Sequence, residues 1–585
     1  MTLPGQDRDA AIGRLASLGA IDVVIVGGGI NGCATFRELA LQGVRCLIVD
    51  REDFGAGASS ASTRMAHGGL RYLENGEFRL VAEATRERNR LLRNAPHAIA
   101  PLLVTIPSFS ILGGLVQSAA KLFGIERKIR SRGVVLLKLG MALYDFLGRR
   151  QSAIGRHRMA SGAGARDLLP DLHPAIRGLA SYYDARISHA ERIAFELVAD
   201  GLAASPDSLA VNHCALVRGE GADIVLRDLL GGRDHAVAPR LVVNAGGAWI
   251  DAVNSRIGPM RPLIGGTKGS HLVLDNPALH DAMRGRAFSF DDGTGRMCIA
   301  YPLDRMVLLG STDIRIADPD NAVCDDAEID YLVGAIRVIF PLIDVGREHI
   351  RFRFCGVRPL PRSTSAATVN ISRDHSIVWR EPDGAAPYPV VSLVGGKWTT
   401  FRAFAEQVAD QVLPALGATR ACGTQNMPIG GGRDYPATPT ERHAWVERVG
   451  AGTGRPPARL DELLARYGTR AELVAAFCAA EPDHPLTETP EYSEREILFL
   501  VRHEMAATLA DIVYRRTTLA MWGQLSFPLL CEIAGIVSRA RRVSTESLLH
   551  DFVPRLLREN GIDYAADLRQ FDAVAAKSDM SMAAG

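Results

Sequence analysis

The sequence lacks the cysteine pairs on which many metal sites and disulfide frameworks are built. Its nine cysteines are never closer together than Cys33 and Cys46, so no CxxC pair is present. Structural zinc sites and iron–sulfur clusters use such pairs, and we therefore expect no metal site. Cysteines scattered in this way are typical of a protein from a reducing compartment.

The chain also has almost no net charge, since 67 basic side chains stand against 66 acidic ones. A nucleic-acid-binding protein usually carries a clear excess of positive charge, so we expect no nucleic-acid partner. A length of 585 residues exceeds what one hydrophobic core fills, and it predicts two or three domains.

No segment has the composition of a signal peptide or an uninterrupted membrane span. The first 20 residues contain four charged side chains and no apolar core. Residues 98–120 are uncharged and about as long as a membrane span, but Pro101 and Pro107 interrupt them. We therefore expect a cytoplasmic protein that has no transmembrane helix.

The clearest local pattern lies near the start of the chain. Residues 21–26 form a short apolar run rich in β-branched side chains, which predicts a buried parallel strand. Residues 30–42 predict a helix that ends at Gly43, and residues 45–50 predict a second buried strand. Together these segments form a β–α–β unit of the dinucleotide-binding kind.

The turn of this unit carries a GxGxxG motif made by Gly27, Gly29 and Gly32. Bare backbone N–H groups at the start of a helix bind a pyrophosphate, and Asp50, at the end of the second strand, is placed to bind a ribose diol. The motif fits either NAD or FAD. Two later strands that also end in glycines, at 244–247 and 394–397, favour FAD because a flavin needs further close backbone approaches.

Several further motifs follow in a fixed order. They are Ala58–Tyr72 (ASSASTRMAHGGLRY), Thr267–His271 (TKGSH), Leu309–Asp313 (LGSTD), Cys355–Leu360 (CGVRPL), Ile371–Asp374 (ISRD), Gly395–Arg402 (GGKWTTFR), Phe499–Glu504 (FLVRHE) and Tyr514–Thr518 (YRRTT). From about residue 20 to residue 525 the sequence resembles the family of FAD-dependent, aerobic, quinone-linked glycerol-3-phosphate dehydrogenases.

The resemblance implies an α/β plus α architecture in three parts. The first is a Rossmann-like FAD-binding domain of the glutathione-reductase/D-amino-acid-oxidase type, the second an antiparallel-sheet substrate domain, and the third a C-terminal helical domain. We assign residues 15–95, 180–255 and 355–415 to the FAD-binding domain and residues 96–179 and 256–354 to the substrate domain. Residues 416–458 are predicted to be a linker, and residues 459–575 the helical domain.

Four basic side chains in apolar or glycine-rich surroundings predict an anion site. A buried cation needs an anionic partner, and arginines bind a phosphate through paired hydrogen bonds. By resemblance, the predicted substrate-binding residues are Arg71, Tyr72, His271, Arg358, Arg373 and Lys397. The predicted catalytic residues are His67, His271, Arg358 and Lys397, and either histidine could accept the hydroxyl proton, with a preference for His67.

The predicted FAD site combines the glycine turn, the loop after it and the later glycine-rich strand ends. Its residues are Gly27, Gly29, Asn31, Gly32, Asp50, Ser59, Ser60, Thr63, Arg64, His67, Gly68, Gly246, Gly356, Gly396, Lys397 and Thr399.

The activity that the resemblance implies is the oxidation of sn-glycerol 3-phosphate to dihydroxyacetone phosphate. FAD would accept a hydride and pass the electrons to a membrane quinone, and the protein would be a homodimer. Three alternatives stay open: an oxidase that uses O2, a dehydrogenase of a related polyol phosphate such as erythritol phosphate, and a flavin-binding sensor that is not an enzyme.

Departures from the family pattern support the alternative of a dehydrogenase that acts on a related polyol phosphate. Arg64 stands where the family has lysine, Trp398 replaces a smaller residue, and the Asp-Ala-Arg expected after Tyr182-Tyr183 is interpreted as displaced to residues 189–192.

Two segments between residues 78 and 148 carry many charges. Residues 78–93 predict a helix whose charged side chains face solvent. The basic, apolar stretch of residues 121–148 is either an ordinary helix or a surface for peripheral contact with the inner face of the cytoplasmic membrane.

Overall fold

The computed structural model describes residues 7–113, 133–148, 154–363 and 373–583. The strands in these ranges, β1 to β18 in chain order, are Ala20–Val26, Cys46–Val49, Met65–Ala66, Ile99–Ser108, Arg158–Ser161, Gly178–Ile187, Leu209–Val211, Cys214–Glu220, Asp223–Asp228, Asp234–Asn244, Thr267–Leu274, Ala287–Asp291, Met297–Leu303, Met306–Gly310, Ile314–Arg315, Ile350–Arg358, Ser376–Arg380 and Val390–Val394.

The α-helices in the same ranges are Arg8–Ala16, Ile30–Leu41, Phe78–Asn94, Val134–Gly148, Ala163–Leu168, Ala190–Ala204, Ile250–Ile257, Pro277–Ala282, Asp326–Arg337, Phe401–Ala415, Pro439–Thr453, Pro457–Tyr467, Ala471–Ala479, Glu494–His503, Phe527–Arg541, Thr545–Asn560 and Ala565–Ala583. A π-helical turn covers Asp511–Arg516. No helix within the described ranges is long and apolar enough to cross a membrane.

The first sheet is built around β1, which pairs in parallel with β2 on one side and β10 on the other. Its strand order is β17-β18-β10-β1-β2-β7; β9 extends it by antiparallel pairing with β10, and β8 pairs antiparallel with β9. Val23, Val24 and Ile25 are fully buried in β1, as expected of a central parallel strand covered on both faces. The predicted β–α–β unit is confirmed by β1, the helix Ile30–Leu41 and β2.

The second sheet is almost wholly antiparallel, with the strand order β15-β11-β14-β13-β12-β4-β6-β3. Strand β16 pairs with β11, β5 pairs with β6, and the parallel contact is between β12 and β4. The predicted antiparallel sheet is thus confirmed. Strand β6 and the end of β16 lie in this sheet, although the assignment from sequence placed residues 180–187 and 355–358 in the FAD-binding domain.

The C-terminal helices enclose a hydrophobic core of their own, which includes Tyr492, Leu500 and Ile533. The helix Pro439–Thr453 contributes Trp445 and Val449 to that core, although residues 416–458 were predicted to be a linker. Thr438 caps this helix and Glu441 completes a capping box, which starts a stable helix within a Gly- and Pro-rich stretch. This part of the predicted linker therefore belongs to the C-terminal domain.

The helix Phe78–Asn94 does not present all its charged side chains to solvent, so that prediction was wrong. Glu87 and Arg88 are buried. The Arg402 guanidinium donates to both oxygens of Glu87 at 2.7 and 2.9 Å, and Arg88 donates to Asp184 at 2.8 Å. The helix packs against β4, β6 and the helix Val134–Gly148, and its buried Glu87 and Arg88 are paired with partners remote in sequence.

Candidate active site

A cavity of about 350 Å³ lies where the carboxyl ends of β1, β2 and β10 meet the second sheet. One end of its lining includes Gly27, Gly29 and Asp50, and the other includes His67 and Lys397. The carboxyl edge of a parallel sheet is the usual ligand-binding position in this class of fold.

The glycine turn that follows β1 leaves no room for side chains. Gly27 has φ +108°, and a Cβ there would lie 2.5 Å from the carbonyl oxygen of Ala245. A Cβ on Gly32 would lie 1.9 Å from the carbonyl oxygen of Gly27. Gly29 caps the helix Ile30–Leu41 without a side-chain hydrogen bond, so the positive end of the helix dipole faces the cavity.

Asp50 is held rigidly at the end of β2. Its carboxylate accepts hydrogen bonds from the backbone N–H of Gly28 at 2.6 Å and of Glu52 at 2.7 Å. Burial raises the pKa of Asp50 to about 6, so the side chain is ionised at neutral pH. A half-buried, ionised carboxylate here is well suited to accept the hydrogen bonds of a ribose diol.

The loop after the glycine turn connects the two sheets through hydroxyl groups. The Ser59 hydroxyl accepts the backbone N–H of Ile30 at 2.8 Å, and Thr63 Oγ1 lies 2.9 Å from His271 Nε2. The His271 ring stacks on Phe354 with 4.9 Å between ring centroids. Burial, helped by nearby arginine charge, lowers the pKa of His271 to about 3, so the ring is neutral at pH 7.

His67 is positioned through its backbone, which leaves its ring in the cavity lining. Its N–H donates to the Thr399 hydroxyl at 3.0 Å, and that hydroxyl donates to the His67 carbonyl at 3.2 Å. Burial lowers the pKa of His67 to about 4, against the opposing influence of Asp184. This ring is also neutral at pH 7.

Two arginines in the lining share one carboxylate. Arg358 donates to Asp313 Oδ1 at 3.3 Å, and Arg373 lies 3.7 Å from Asp313 Oδ2. Arg358 also donates to the Ser311 hydroxyl at 2.9 Å. Because two cations share a single anion, this corner of the cavity keeps an excess of positive charge.

Lys397 adds a third basic group beside them. Its ammonium is buried, has no hydrogen-bond partner in the described part of the chain, and lies 3.8 Å from the centroid of the Tyr72 ring. Burial lowers the pKa of Lys397 to about 7. An unpaired amine in this position is suited to receive an anionic ligand.

Most of the predicted site residues line this one cavity. They are Gly27, Gly29, Asn31, Asp50, Ser59, Thr63, His67, Tyr72, Gly246, His271, Gly356, Arg358, Arg373, Gly396 and Lys397.

Other predicted residues lie behind the lining or elsewhere. Gly32 packs on Gly27, Thr399 binds the His67 backbone, and Gly68 donates its N–H to Asp184. Ser60 lines a neighbouring cavity, and Arg71 is exposed to solvent. Gly32, Thr399 and Gly68 therefore support the cavity wall, whereas Ser60 and Arg71 lie outside this cavity.

Arg64 is the clearest departure from the predicted cofactor site. Its side chain is buried and forms an ion pair with Glu191, with a second N–O contact of 3.0 Å. Its guanidinium is thus already neutralised within the protein, and Arg64 lines the neighbouring cavity instead of this one. The interpretation of Arg64 as a cofactor contact is corrected accordingly.

Two carboxylates of the site were not predicted. Asp313 ends the LGSTD motif and pairs with Arg358, so the motif itself was the signal. Asp184 accepts from the Tyr144 hydroxyl at 2.6 Å and from Gly68 N–H at 3.0 Å. It begins an intact Asp-Ala-Arg directly after Tyr182-Tyr183, so the interpretation that this sequence is displaced to residues 189–192 was wrong.

Comparison with known proteins identifies the family. Residues 22–375 match the family described as "FAD dependent oxidoreductase", which is more than half of the chain. The chain belongs to this family. Residues 422–547 match a second family, described as "C-terminal domain of alpha-glycerophosphate oxidase".

Similar proteins extend over most of the length of this FAD-dependent oxidoreductase. A glycerol-3-phosphate dehydrogenase of Synechocystis sp. is 33% identical over 523 residues, covering 86% of this chain and 89% of the relative. The aerobic glycerol-3-phosphate dehydrogenase of Escherichia coli is 28% identical and covers 86% and 94%. A crystal structure of the Bacillus halodurans glycerol-3-phosphate dehydrogenase complexed with FAD has a TM-score of 0.70 at 21% identity, with coverage of 94% and 97%.

The cavity fits the cofactor of this family. Its glycines leave the backbone bare. Four buried polar atoms of the lining residues have no hydrogen-bond partner among the described residues: Asn31 Oδ1, His271 Nδ1, Lys397 Nζ and Trp398 Nε1. Asp50 would hold the ribose of FAD and the Gly27–Gly32 turn its pyrophosphate. The flavin would then lie toward His67, His271 and Lys397.

The first prediction concerns the glycine turn. In Gly32→Ala the new methyl group would collide with the Gly27 carbonyl, so we expect loss of bound FAD and a loss of about 1–3 kcal/mol in the free energy of unfolding. The flavin absorbance of the purified protein and its urea unfolding curve measure both effects. Gly13→Ala, where a Cβ meets nothing within 4 Å, is the matched control, and FAD retained equally by both variants would contradict the prediction.

Proposed function

We propose that this FAD-dependent oxidoreductase oxidises the secondary alcohol of sn-glycerol 3-phosphate to dihydroxyacetone phosphate. The observation that carries the proposal is the group of Arg358, Arg373 and Lys397 in the same cavity as two neutral histidines. Such a site offers cations to a phosphate and proton acceptors to an alcohol. The names of the similar proteins support the same substrate.

The charges suit a phosphomonoester better than an uncharged polyol. Two arginines beside one carboxylate leave a net positive charge, and Lys397 adds a second wherever its amine, with a pKa of about 7, is protonated. A phosphate monoester carries between one and two negative charges at pH 7 and accepts paired hydrogen bonds from guanidinium groups. Arg358, Arg373 and Lys397 are therefore proposed to bind the substrate phosphate and to stabilise the alkoxide that develops on the alcohol.

His67 is the proposed acceptor of the hydroxyl proton. Burial and nearby cations lower the pKa of both histidines, to about 4 for His67 and to about 3 for His271. The Asp184 carboxylate opposes this lowering at His67, so His67 is the stronger base of the two. FAD, when bound, supplies the acceptor for the hydride that leaves the same carbon. The residues of this chain provide the remaining requirements, namely the proton acceptor and the cations.

The first test is an anaerobic titration of the purified protein with glycerol 3-phosphate, followed by loss of the visible flavin band. In Arg358→Met we expect retained FAD but an affinity for the substrate that is on the order of 10- to 100-fold lower, because a charged hydrogen bond is lost. The exposed Arg305→Met is the control. A wild-type flavin that no polyol phosphate reduces would contradict the enzyme and favour the sensor.

The pH dependence of anion binding provides a second test. The Lys397 amine loses its proton as the pH rises through about 7, so affinity for a phosphate ligand should fall above that pH. We expect this in equilibrium titrations with 3-hydroxypropyl phosphate, which lacks the reacting alcohol. Lys397→Arg keeps its charge at these pH values and should abolish the fall, and an unchanged pH profile in that variant would refute the role of Lys397.

The electron acceptor is proposed to be a membrane quinone. The match of residues 422–547 to a family named for alpha-glycerophosphate oxidase keeps O2 as the second candidate. Turnover that consumes O2 and forms peroxide without added quinone would decide for the oxidase. Quinone-dependent turnover with negligible peroxide would decide for the dehydrogenase.

A membrane-facing surface is proposed on the helix Val134–Gly148. Leu139 and Leu143 are exposed on one face of this helix, and the N–H of Val135 donates to the carbonyl of Ile111, next to the exposed Leu112. The basic residues 121–132, part of the predicted docking stretch, lie outside the described residues. An exposed apolar face that follows a basic segment in the sequence is typical of proteins that bind anionic membranes at their surface.

We expect Leu112→Ser combined with Leu139→Ser to reduce sedimentation with phosphatidylglycerol vesicles severalfold. Leu342→Ser, at an exposed leucine elsewhere on the surface, controls for a general loss of hydrophobic area. Equal binding by all three proteins would remove this helix from the proposal.

A further inference from the structure

Residues of the C-terminal domain contact the outer side of one cavity wall, at the end of the cavity where Asp50 would bind the ribose. This wall is the loop of residues 50–56, from which Asp50 and Glu52 line the cavity. Directly after Asp50 and Arg51, the consecutive carboxylates of Glu52 and Asp53 face the consecutive guanidinium groups of Arg515 and Arg516. The partners of each pair are 463 residues apart in sequence.

The inner pair of this contact is completely buried. Arg516 donates to Asp53 through two nitrogens, at 2.6 and 3.0 Å, and its side chain has no exposed area. Asn212 donates to the same carboxylate at 2.9 Å, and Arg516 also donates to the Glu504 carbonyl at 2.8 Å. A buried carboxylate that loses its guanidinium is strongly disfavoured, so Arg516 fixes the position of Asp53.

Short contacts connect Asp53 to the ligand-binding turn. The N–H of Gly55 donates to the carbonyl of Gly28 at 2.8 Å, and a Cβ on Gly28 would lie 2.6 Å from the Phe54 ring. The N–H of Gly28 in turn donates to the Asp50 carboxylate. Because these groups are close-packed, a displacement of Asp53 shifts both Asp50 and the glycine turn.

A third contact between the C-terminal domain and the rest of the protein also supports this loop, through His213. Asp511 lies 2.9 Å from His213 Nε2. The N–H of His213 donates to the Glu52 carbonyl at 2.8 Å, and the N–H of Cys214 donates to the Asp50 carbonyl at 2.7 Å. Asp511, Arg515 and Arg516 all belong to the single π-helical turn Asp511–Arg516, a type of turn that is frequent at functional positions.

We propose that the turn Asp511–Arg516 positions the ribose-binding wall and that the C-terminal domain thereby sets the affinity of the protein for FAD. Arg516 is a positioning residue, since it acts through Asp53 and does not line the cavity. The inference rests on FAD binding in this cavity. It concerns the binding step, so the turnover of fully loaded protein stays close to that of the wild type.

The test uses FAD-free protein, titrated with FAD and separately with ADP, which contains the ribose and the pyrophosphate but no flavin. In Arg516→Met we expect both dissociation constants to rise by the same factor, on the order of 10- to 100-fold, with kcat within twofold at saturating FAD. Arg539→Met, at an exposed arginine of the same domain, is the matched control.

The outcomes separate this inference from a merely structural contact. FAD and ADP affinities within twofold of the wild type in a folded Arg516→Met would overturn it, as would an effect on FAD alone. If Arg516→Met does not fold, Arg515→Met serves instead, because Glu52 keeps its second partner Arg555 at 2.9 Å, and a rise of three- to tenfold is expected. A wild-type protein that binds no FAD would overturn both the cofactor assignment and this inference, whereas a wild-type protein that binds FAD beside an unaffected Arg516→Met overturns the inference alone.

Discussion

The structure depends on one constraint, namely that a buried charge needs a buried partner. Arginine–carboxylate pairs of low exposure connect segments that are far apart in sequence. They are Arg64–Glu191, Arg88–Asp184, Arg402–Glu87, Arg192–Glu504 and Arg516–Asp53. Each pair is poor evidence of net stability, because desolvation offsets much of the attraction. Each nevertheless specifies which surfaces meet, because any other arrangement would leave a charge buried alone.

The same constraint distinguishes the arginines that hold the fold from those offered to a ligand. Arg64 has a carboxylate of its own and is therefore neutralised within the protein. Arg358 and Arg373 share the single carboxylate of Asp313, and the Lys397 ammonium has no hydrogen-bond partner among the described residues. The site is thus recognised by its incomplete neutralisation rather than by the number of its cations. A near-zero net charge for the whole chain is compatible with this local excess.

The features that the sequence predicted well are those set by residues close together in the chain. The glycine turn and Asp50 follow from strand, turn and helix patterns within about 30 residues, and the structure places them together because short-range geometry determines them. Partners were predicted poorly: the helix Phe78–Asn94 was expected to be solvated, and Arg64 was assigned to the cofactor. In both cases the deciding carboxylate or guanidinium lies more than 90 residues away, and no periodicity reveals it. Asp184 is a different case, because the Asp-Ala-Arg motif that it begins stands in the sequence directly after Tyr182-Tyr183 and could have been recognised there.

The location of the cavity explains why binding and folding should be linked in this protein. Its lining comes from the first sheet, from β11 and β16 of the second sheet, and from a loop that the C-terminal domain holds through Arg515 and Arg516. A ligand that binds this composite wall stabilises the arrangement of all three parts, by RT ln(1 + [L]/Kd). The reverse also holds, because an equilibrium that separates the C-terminal domain from Asp53 must lower the affinity for the ligand by the same free energy. On this proposal the helical domain is coupled energetically to a site that its described residues do not line.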